Sequence, residues 1–311
     1  MDSNLLASNA ARGRILAMDA VHTAASGHIG GSLSVMDILT TLYFHTMKVD
    51  PKNPADPDRD RFVLSKGHCT PALYAVLALK GYFPREDLSL FRSIKGHFSG
   101  HPDMVNVPGV DMSTGSLGQG ISAAVGMALA GKMDHRDYRV YAVLGDGEIE
   151  EGQTWEAAMS AAKFGLDNLC AVVDVNGLQI DGATADVMPS EPLDKKYEAF
   201  GWHVIHVDGH DFDALKAAFD EARTISGKPT MLLAKTVKGK GVSFMENDAG
   251  WHGKAPNDEQ YDLAHKELVD ELRRCTDLVS VASMASAMET MEKLDALFPE
   301  VEENEAWEEL I

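Results

Sequence analysis

Basic residues are scarce in this 311-residue chain: 28 Lys and Arg face 48 Asp and Glu, a formal net charge of −20. Binding DNA, RNA or an acidic lipid surface needs clustered Lys and Arg, so this balance argues against nucleic-acid and membrane partners. An anionic ligand must then be held locally, by a metal or by helix N-termini. Cysteine is equally scarce. Cys69, Cys170 and Cys275 stand far apart with no C-x-x-C pair, which excludes a Cys-based zinc site or a disulfide scaffold and suits a reduced, cytoplasmic protein. Nothing approaches the ~18 consecutive apolar residues of a membrane span, and no Lys or Arg precedes Arg12, so neither a transmembrane segment nor a signal peptide is expected.

What is present is ample core material, with 45% hydrophobic residues, arranged as alternating strand and helix patterns. Helical spacing over 5–24 and 35–44 brackets the non-periodic stretch SGHIGGS at 26–32. A short strand at 62–64 ends in the turn Ser65-Lys66-Gly67-His68, and a helix with proline in its first turn follows over 71–80. The middle is the most regular part: strand 140–144, helix 154–164, strand 169–175, which the connection rules make a parallel, right-handed βαβ unit. Strand 202–207, helix 211–222 and strand 230–234 continue the alternation. The fold class expected is α/β, a doubly wound, mostly parallel sheet flanked by helices. The main domain is expected over 1–270, with an acidic helical extension over 271–311. Met288, Met291, Leu294 and Leu297 keep helical spacing there, and 289–311 holds nine acids and one Lys, −8 of the −20.

In open parallel sheets ligands sit outside the carboxyl ends of strands. Asp146 and Asn176 occupy corresponding ends of the βαβ strands, and Asp146, Glu148, Glu150 and Glu151 crowd four carboxylates into six residues. A hard divalent cation takes such oxygen ligands and completes its shell with carbonyls, water and ligand phosphates. Gly145 and Gly147 leave room for a phosphate to reach the backbone. His28, His68, His101 and His252 lie in glycine-containing segments (SGHIGG, SKGH, SGHPD, GWHGK), a set suited to moving protons in a polar pocket. No zinc spacing supports a metal role for them. His203 and His206 fall inside a strand pattern and read as ordinary, partly buried residues. Gly118-x-Gly120 lacks the third glycine and the preceding strand of a dinucleotide fingerprint, which argues against NAD.

Residues 145–182, GDGEIEEGQTWEAAMSAAKFGLDNLCAVVDVNGLQIDG, resemble the thiamine-diphosphate motif of GDG, a spacer of about thirty residues, then Asn. SGHIGGSLS, DRFVLSKGH, GHPD, STGSLGQGISAAVGMALA, PLDKKYEAFGW and KTVKGKGVSFMEN…WHGKAP all resemble transketolase, in transketolase order. The resemblance covers roughly 5–260 and implies a thiamine-diphosphate-binding fold. It implies that Asp146, Asn176 and the Leu178 carbonyl hold Mg²⁺ (or Ca²⁺ or Mn²⁺), and that Gly147, Asn176 and His68 contact the diphosphate. Gly115, Ser116 and Leu117 would meet the thiazole and pyrimidine region, and Glu151 would support the metal loop. His28, His101 and His252 would line the donor-ketose site as catalytic residues, His252 also touching the cofactor. Ile29 and Ser116 stand where many relatives carry Pro. The family's second domain, which binds the pyrimidine and supplies an activating glutamate, has no counterpart here. The resemblance therefore implies the N-terminal subunit of a split transketolase acting on sugar phosphates, paired with a separate C-terminal subunit in an α₂β₂ assembly. The alternatives are a non-catalytic scaffold, a deoxyxylulose-phosphate-synthase-like chain and a 2-oxo-acid dehydrogenase α-type subunit. The order SGH, SKGH, GHPD, WHG favours transketolase over the dehydrogenase.

Overall fold

In the computed structural model, which describes residues 1–282, the strands in chain order are β1 (Arg61–Leu64), β2 (Val140–Gly145), β3 (Leu169–Val175), β4 (Leu178–Gln179), β5 (Gly182–Ala183), β6 (His203–Asp208) and β7 (Thr230–Lys235). Five of them form an all-parallel sheet in the order β1-β2-β3-β7-β6, while β4 and β5 pair as a small antiparallel hairpin just beyond β3. The helices are α1 (Ser3–Thr23), α2 (Ile29–Thr41), α3 (Thr70–Lys80), α4 (Gly120–Met133), α5 (Gly152–Lys163), α6 (Thr184–Val187), α7 (Leu193–Ala199), α8 (Phe212–Thr224) and α9 (Asp258–Ala282).

Because successive strand side chains point to opposite faces, the continuous apolar runs feed two cores. Phe62, Leu64, Tyr141, Val143, Cys170, Val172, Leu232 and Ala234 pack with residues of α1, α2, α3, α8 and α9. Val63, Ala142, Leu144, Ala171, Val173, Met231 and Leu233 pack with α4, α5 and α7. Helices on both faces of a parallel sheet are the doubly wound α/β arrangement expected, and both strands of the βαβ unit are parallel in register, Val140 opposite Leu169 and Gly145 opposite Asp174. Strand order places the carboxyl ends of β1, β2, β3 and β7 side by side, so four turns open into one region.

One helix start differs from expectation for a physical reason. α2 starts at Ile29, not near 35, and runs straight through Gly30 and Gly31. A Cβ on Gly30 would stand 2.8 Å from the Trp251 carbonyl oxygen, and one on Gly31 2.7 Å from Cys69 Sγ. The glycine pair is thus a close-packing surface inside a helix, not a break. α9 runs unbroken through position 270 and packs Ala264 and Leu268 into the first core. The remainder of the expected acidic extension, including Met288, Met291, Leu294 and Leu297, lies outside the described residues. His206, expected to be partly buried, is exposed on β6, with 68% of its side chain accessible. Among the described residues no helix is long and apolar enough to cross a membrane.

Candidate active site

Asp146 and Asn176 each follow directly on the last residue of their strand, and the two turns are joined. The Asp146 carboxylate accepts from Gly177 N–H at 2.5 Å and from Gly147 N–H at 2.9 Å. Asn176 Oδ1 accepts from Leu178 N–H at 3.1 Å. Gly177 adopts a left-handed φ of +79° with nothing within 4 Å of where a Cβ would sit, so the backbone faces open space. Desolvation and the neighbouring Asp174 charge push the Asp146 carboxyl up to about 6, against the pull of Gly177 N–H, Lys66 and Lys238. The Leu178 carbonyl accepts from the buried Lys238 ammonium at 3.3 Å, and that ammonium also lies 3.2 Å from His252 Nδ1.

Beneath these turns lies a set of buried polar groups that the sequence reading does not single out as site residues. Lys66 Nζ donates to Asp174 Oδ2 at 2.5 Å, Ser34 Oγ donates to the same oxygen at 2.6 Å, and Thr236 donates to Asp174 Oδ1. Burial opposes the Lys66 charge, but Asp174 more than reverses that and holds the ammonium charged; Asp174 itself is held below the usual carboxylate range by Lys66 and its hydroxyl donors despite burial. Glu148 braces the rim: Oε1 accepts from Ser65 Oγ at 2.5 Å and Gly118 N–H at 2.9 Å, and Oε2 from Gly145 N–H at 3.0 Å. Glu151, expected near the metal loop, is exposed at the N-cap of α5. The carboxylate that bonds the turn backbone is therefore Glu148, three residues earlier and facing inward. Val237 N–H donates to His210 Nε2 at 2.9 Å, which puts the ring proton on Nδ1, 2.6 Å from Asp37 of the Arg14–Asp37 ion pair. This pins the segment that carries Lys238.

The four histidines singled out in the sequence come together from four separate segments. Ring centroids lie 5.0 Å apart for His68 and His252, 5.3 Å for His28 and His68, 5.4 Å for His28 and His252, and 6.3 Å for His28 and His101. Desolvation, then Arg92, His101 and Lys238, pushes His28 down to about 4; desolvation, then Lys238, His28 and Lys66, pushes His252 down to about 3. His68 is driven well below its ordinary value, and His101 less so. Burial is the leading cause for all four, with nearby cations adding to it, and His28 and His252 are neutral imidazoles at pH 7. Gly115, with φ +142°, lies against His101: a Cβ there would meet the ring at 2.9 Å. Ser116 is exposed and Leu117 half-buried beside it.

The donor set fits a hard cation shared with a diphosphate. One carboxylate, one amide oxygen and one carbonyl are all oxygen ligands and leave coordination positions for phosphate. Among the described residues no three His, Cys, Asp or Glu side chains converge as a chelating set. A cation, the Lys238 ammonium, already rests on the Leu178 carbonyl. His28 Nδ1 is buried with no hydrogen-bond partner among the described residues, a group left for a ligand to satisfy.

The family described as "Transketolase, thiamine diphosphate binding domain" matches residues 6–290. The chain is 50% identical over 258 residues to "6-deoxy-6-sulfo-D-fructose transketolase subunit SqwG" of Clostridium sp. (strain MSTE9), covering 83% of this chain and 94% of that protein. It is 44% identical over 257 residues to a subunit of the apulose-4-phosphate transketolase of Phocaeicola vulgatus, covering 83% of this chain and 91% of that one. Among solved structures, transketolase from Campylobacter jejuni superposes with a TM-score of 0.81 at 32% identity, covering 100% of this chain and 50% of that one. The chain thus spans about half the length of the solved transketolases it matches.

Proposed function

The chain belongs to the transketolase family, and from that premise we propose that it is the N-terminal, thiamine-diphosphate-binding subunit of a two-chain transketolase. It moves a two-carbon ketol unit from a ketose to an aldose, with phosphorylated or sulfonated sugars as the substrate class. It works with a separate C-terminal subunit that completes the cofactor site, as at least an αβ pair and by the family's symmetry as α₂β₂, in the cytoplasm.

The observation that carries this reading is the convergence of His28, His68, His101 and His252 beside the joined Asp146 and Asn176 turns. Asp146, Asn176 and the Leu178 carbonyl would hold Mg²⁺, with Ca²⁺ or Mn²⁺ as substitutes. Gly147, Asn176, His68 and Lys238 would hold the diphosphate, Lys238 exchanging its hold on the Leu178 carbonyl for phosphate oxygens. Gly115, Ser116 and Leu117 would border the rings, and exposed Glu151 would face the partner side. Thiamine diphosphate supplies the carbon nucleophile and electron sink for cleaving and re-forming a bond beside a carbonyl. The chain supplies proton traffic: neutral His28, His101 and His252 can take a proton from one sugar hydroxyl and return it to another.

The test is reconstitution with the polypeptide encoded beside this one, plus thiamine diphosphate and Mg²⁺, on a panel of ketose donors and aldose acceptors. Ketol transfer is expected only in the assembled complex. Substantial transfer by the chain without any partner sinks the split-enzyme reading; none from the complete mixture sinks the transketolase reading.

A further inference from the structure

His28 is the N-cap of α2 and His252 closes the turn Ala249–Trp251, and each is flanked in sequence by a long helix whose residues take no part in the chemistry above. α1 ends at Thr23, shortly before His28, and α9 begins at Asp258, shortly after His252. At the site itself the two segments meet by contact alone: the His28 and His252 rings are edge-on at 5.4 Å and 88°, and a Cβ on Gly253 would stand 3.5 Å from the His28 ring. Such contacts are soft, yet a displacement of about 1 Å can cost on the order of 100-fold in rate. Something must hold the helix ends.

What lies there is a polar cluster. Tyr261 Oη donates to Asp19 Oδ1 at 2.9 Å. The His22 ring stacks on the Tyr261 ring, centroids 4.0 Å apart and planes 10° from parallel, and His22 Nε2 lies 3.0 Å from Asp258 Oδ1. His265, one turn along α9, packs against the same tyrosine at 5.4 Å and lies 4.0 Å from Asp19. Further from the site α9 packs Ala264 and Leu268 into the core, and its Glu271 lies 3.8 Å from Arg14 of α1. We propose that Asp19, His22 and Tyr261 form a clasp between the ends of α1 and α9 that positions His28 against His252. Its catalytic consequence rests on the function proposed above; its structural consequence does not.

The clasp is tested by Tyr261→Ala, which removes bond and stack, and by Tyr261→Phe, which keeps the stack; His22→Ala serves should Tyr261→Ala not fold. In the reconstituted complex Tyr261→Ala is expected to lower kcat about 10-fold, with Tyr261→Phe recovering most of it. In a His252→Ala background the same change should have no further effect, because the clasp acts through His252. Equal losses in both backgrounds, or a lowered melting temperature with unchanged kcat, overturn the proposal. In the full chain alone, labelled-histidine NMR should show the His28 and His252 ring signals shifting in Tyr261→Ala while exposed His206 stays put. Unmoved His28 and His252 signals also overturn it. A wild-type complex with no ketol transfer rejects the proposed function instead, and the ring signals still decide the clasp.

Discussion

Lys66 and Lys238 are buried in the same site, 1% and 2% exposed, and the fold treats them in opposite ways. Lys66 is locked to Asp174, which two hydroxyls also serve, so its charge is matched and held. Among the described residues Lys238 bonds a carbonyl oxygen and a ring nitrogen, and burial followed by repulsion from Lys66 lowers its pKa. Asp146 shows the mirror image, a carboxyl pushed up to about 6 by burial and Asp174. The floor of the site is electrically complete within the protein. The lip carries a cation and an anion that attract each other without a direct ion pair among the described residues, the pattern that a ligand bearing both signs, a metal diphosphate, would satisfy.

The sharpest way to break this comparison is to delete each charge and measure unfolding in urea. Lys66→Met leaves Asp174 charged and unpaired in the interior, which costs about 3–5 kcal/mol. Lys238→Met replaces, with apolar volume, an ion that among the described residues has no direct salt bridge and feels Asp146 and Asp174 only through space, a change of less than about 1 kcal/mol in either direction. Equal destabilisation by the two variants would mean that Lys238 is as structural as Lys66, and the distinction between floor and lip would fall.

Asp146→Ala comes next. The fold should survive, because the Asp146 carboxylate makes no direct ion pair among the described residues. In the assembled complex with Mg²⁺, thiamine-diphosphate affinity should fall by about 100-fold or more, at least the loss seen when a supporting group behind a metal ligand is removed. Unchanged affinity by isothermal titration rejects Asp146 as a metal ligand.

The lip was legible in the sequence and the floor was not, and the reason is locality. Asp146 and Asn176 end two strands of a single βαβ unit, so their spacing alone brings them together; the histidines stand out by their glycine neighbours. Asp174, Lys66, Ser34 and Thr236 come from four distant segments, and each looks ordinary where it stands. One signal was available: Asp174 sits in the otherwise apolar run LCAVVDV, and a buried acid demands a partner. Lys238 lies in the transketolase-like segment KTVKGKG, but nothing in the sequence separates it from the lysines beside it; it is the chain leaving β7 that brings it to the site. Glu148, whose inward-facing carboxylate braces the turn, is not singled out from its acidic neighbours, because the phase of a single turn is not fixed by sequence spacing. The same limit hid the start of α2, where only the approach of Trp251 and Cys69 explains Gly30 and Gly31.

Lys238→Met also sharpens the comparison from the ligand side. If its ammonium serves the diphosphate, cofactor affinity in the complex should drop about 10-fold, the worth of one charge-assisted hydrogen bond of roughly 1.5 kcal/mol, while donor-ketose KM changes little. A variant with native cofactor affinity and a raised ketose KM would instead assign Lys238 to the sugar through His252.

The smallest effect separates the two regions most cleanly. Ser65→Ala removes one donor from Glu148, whose carboxylate keeps the Gly118 and Gly145 N–H groups at 2.9 and 3.0 Å. Burial already raises the Glu148 pKa, so losing a donor should cost about 1 kcal/mol of stability. Because three segments share the brace and two donors remain, the turn that carries Asp146 should stay in place and cofactor affinity should change less than about twofold. A larger loss of affinity than of stability would show that Glu148 tunes the lip as well as bracing it, and the boundary drawn between the two regions would move outward to include Ser65.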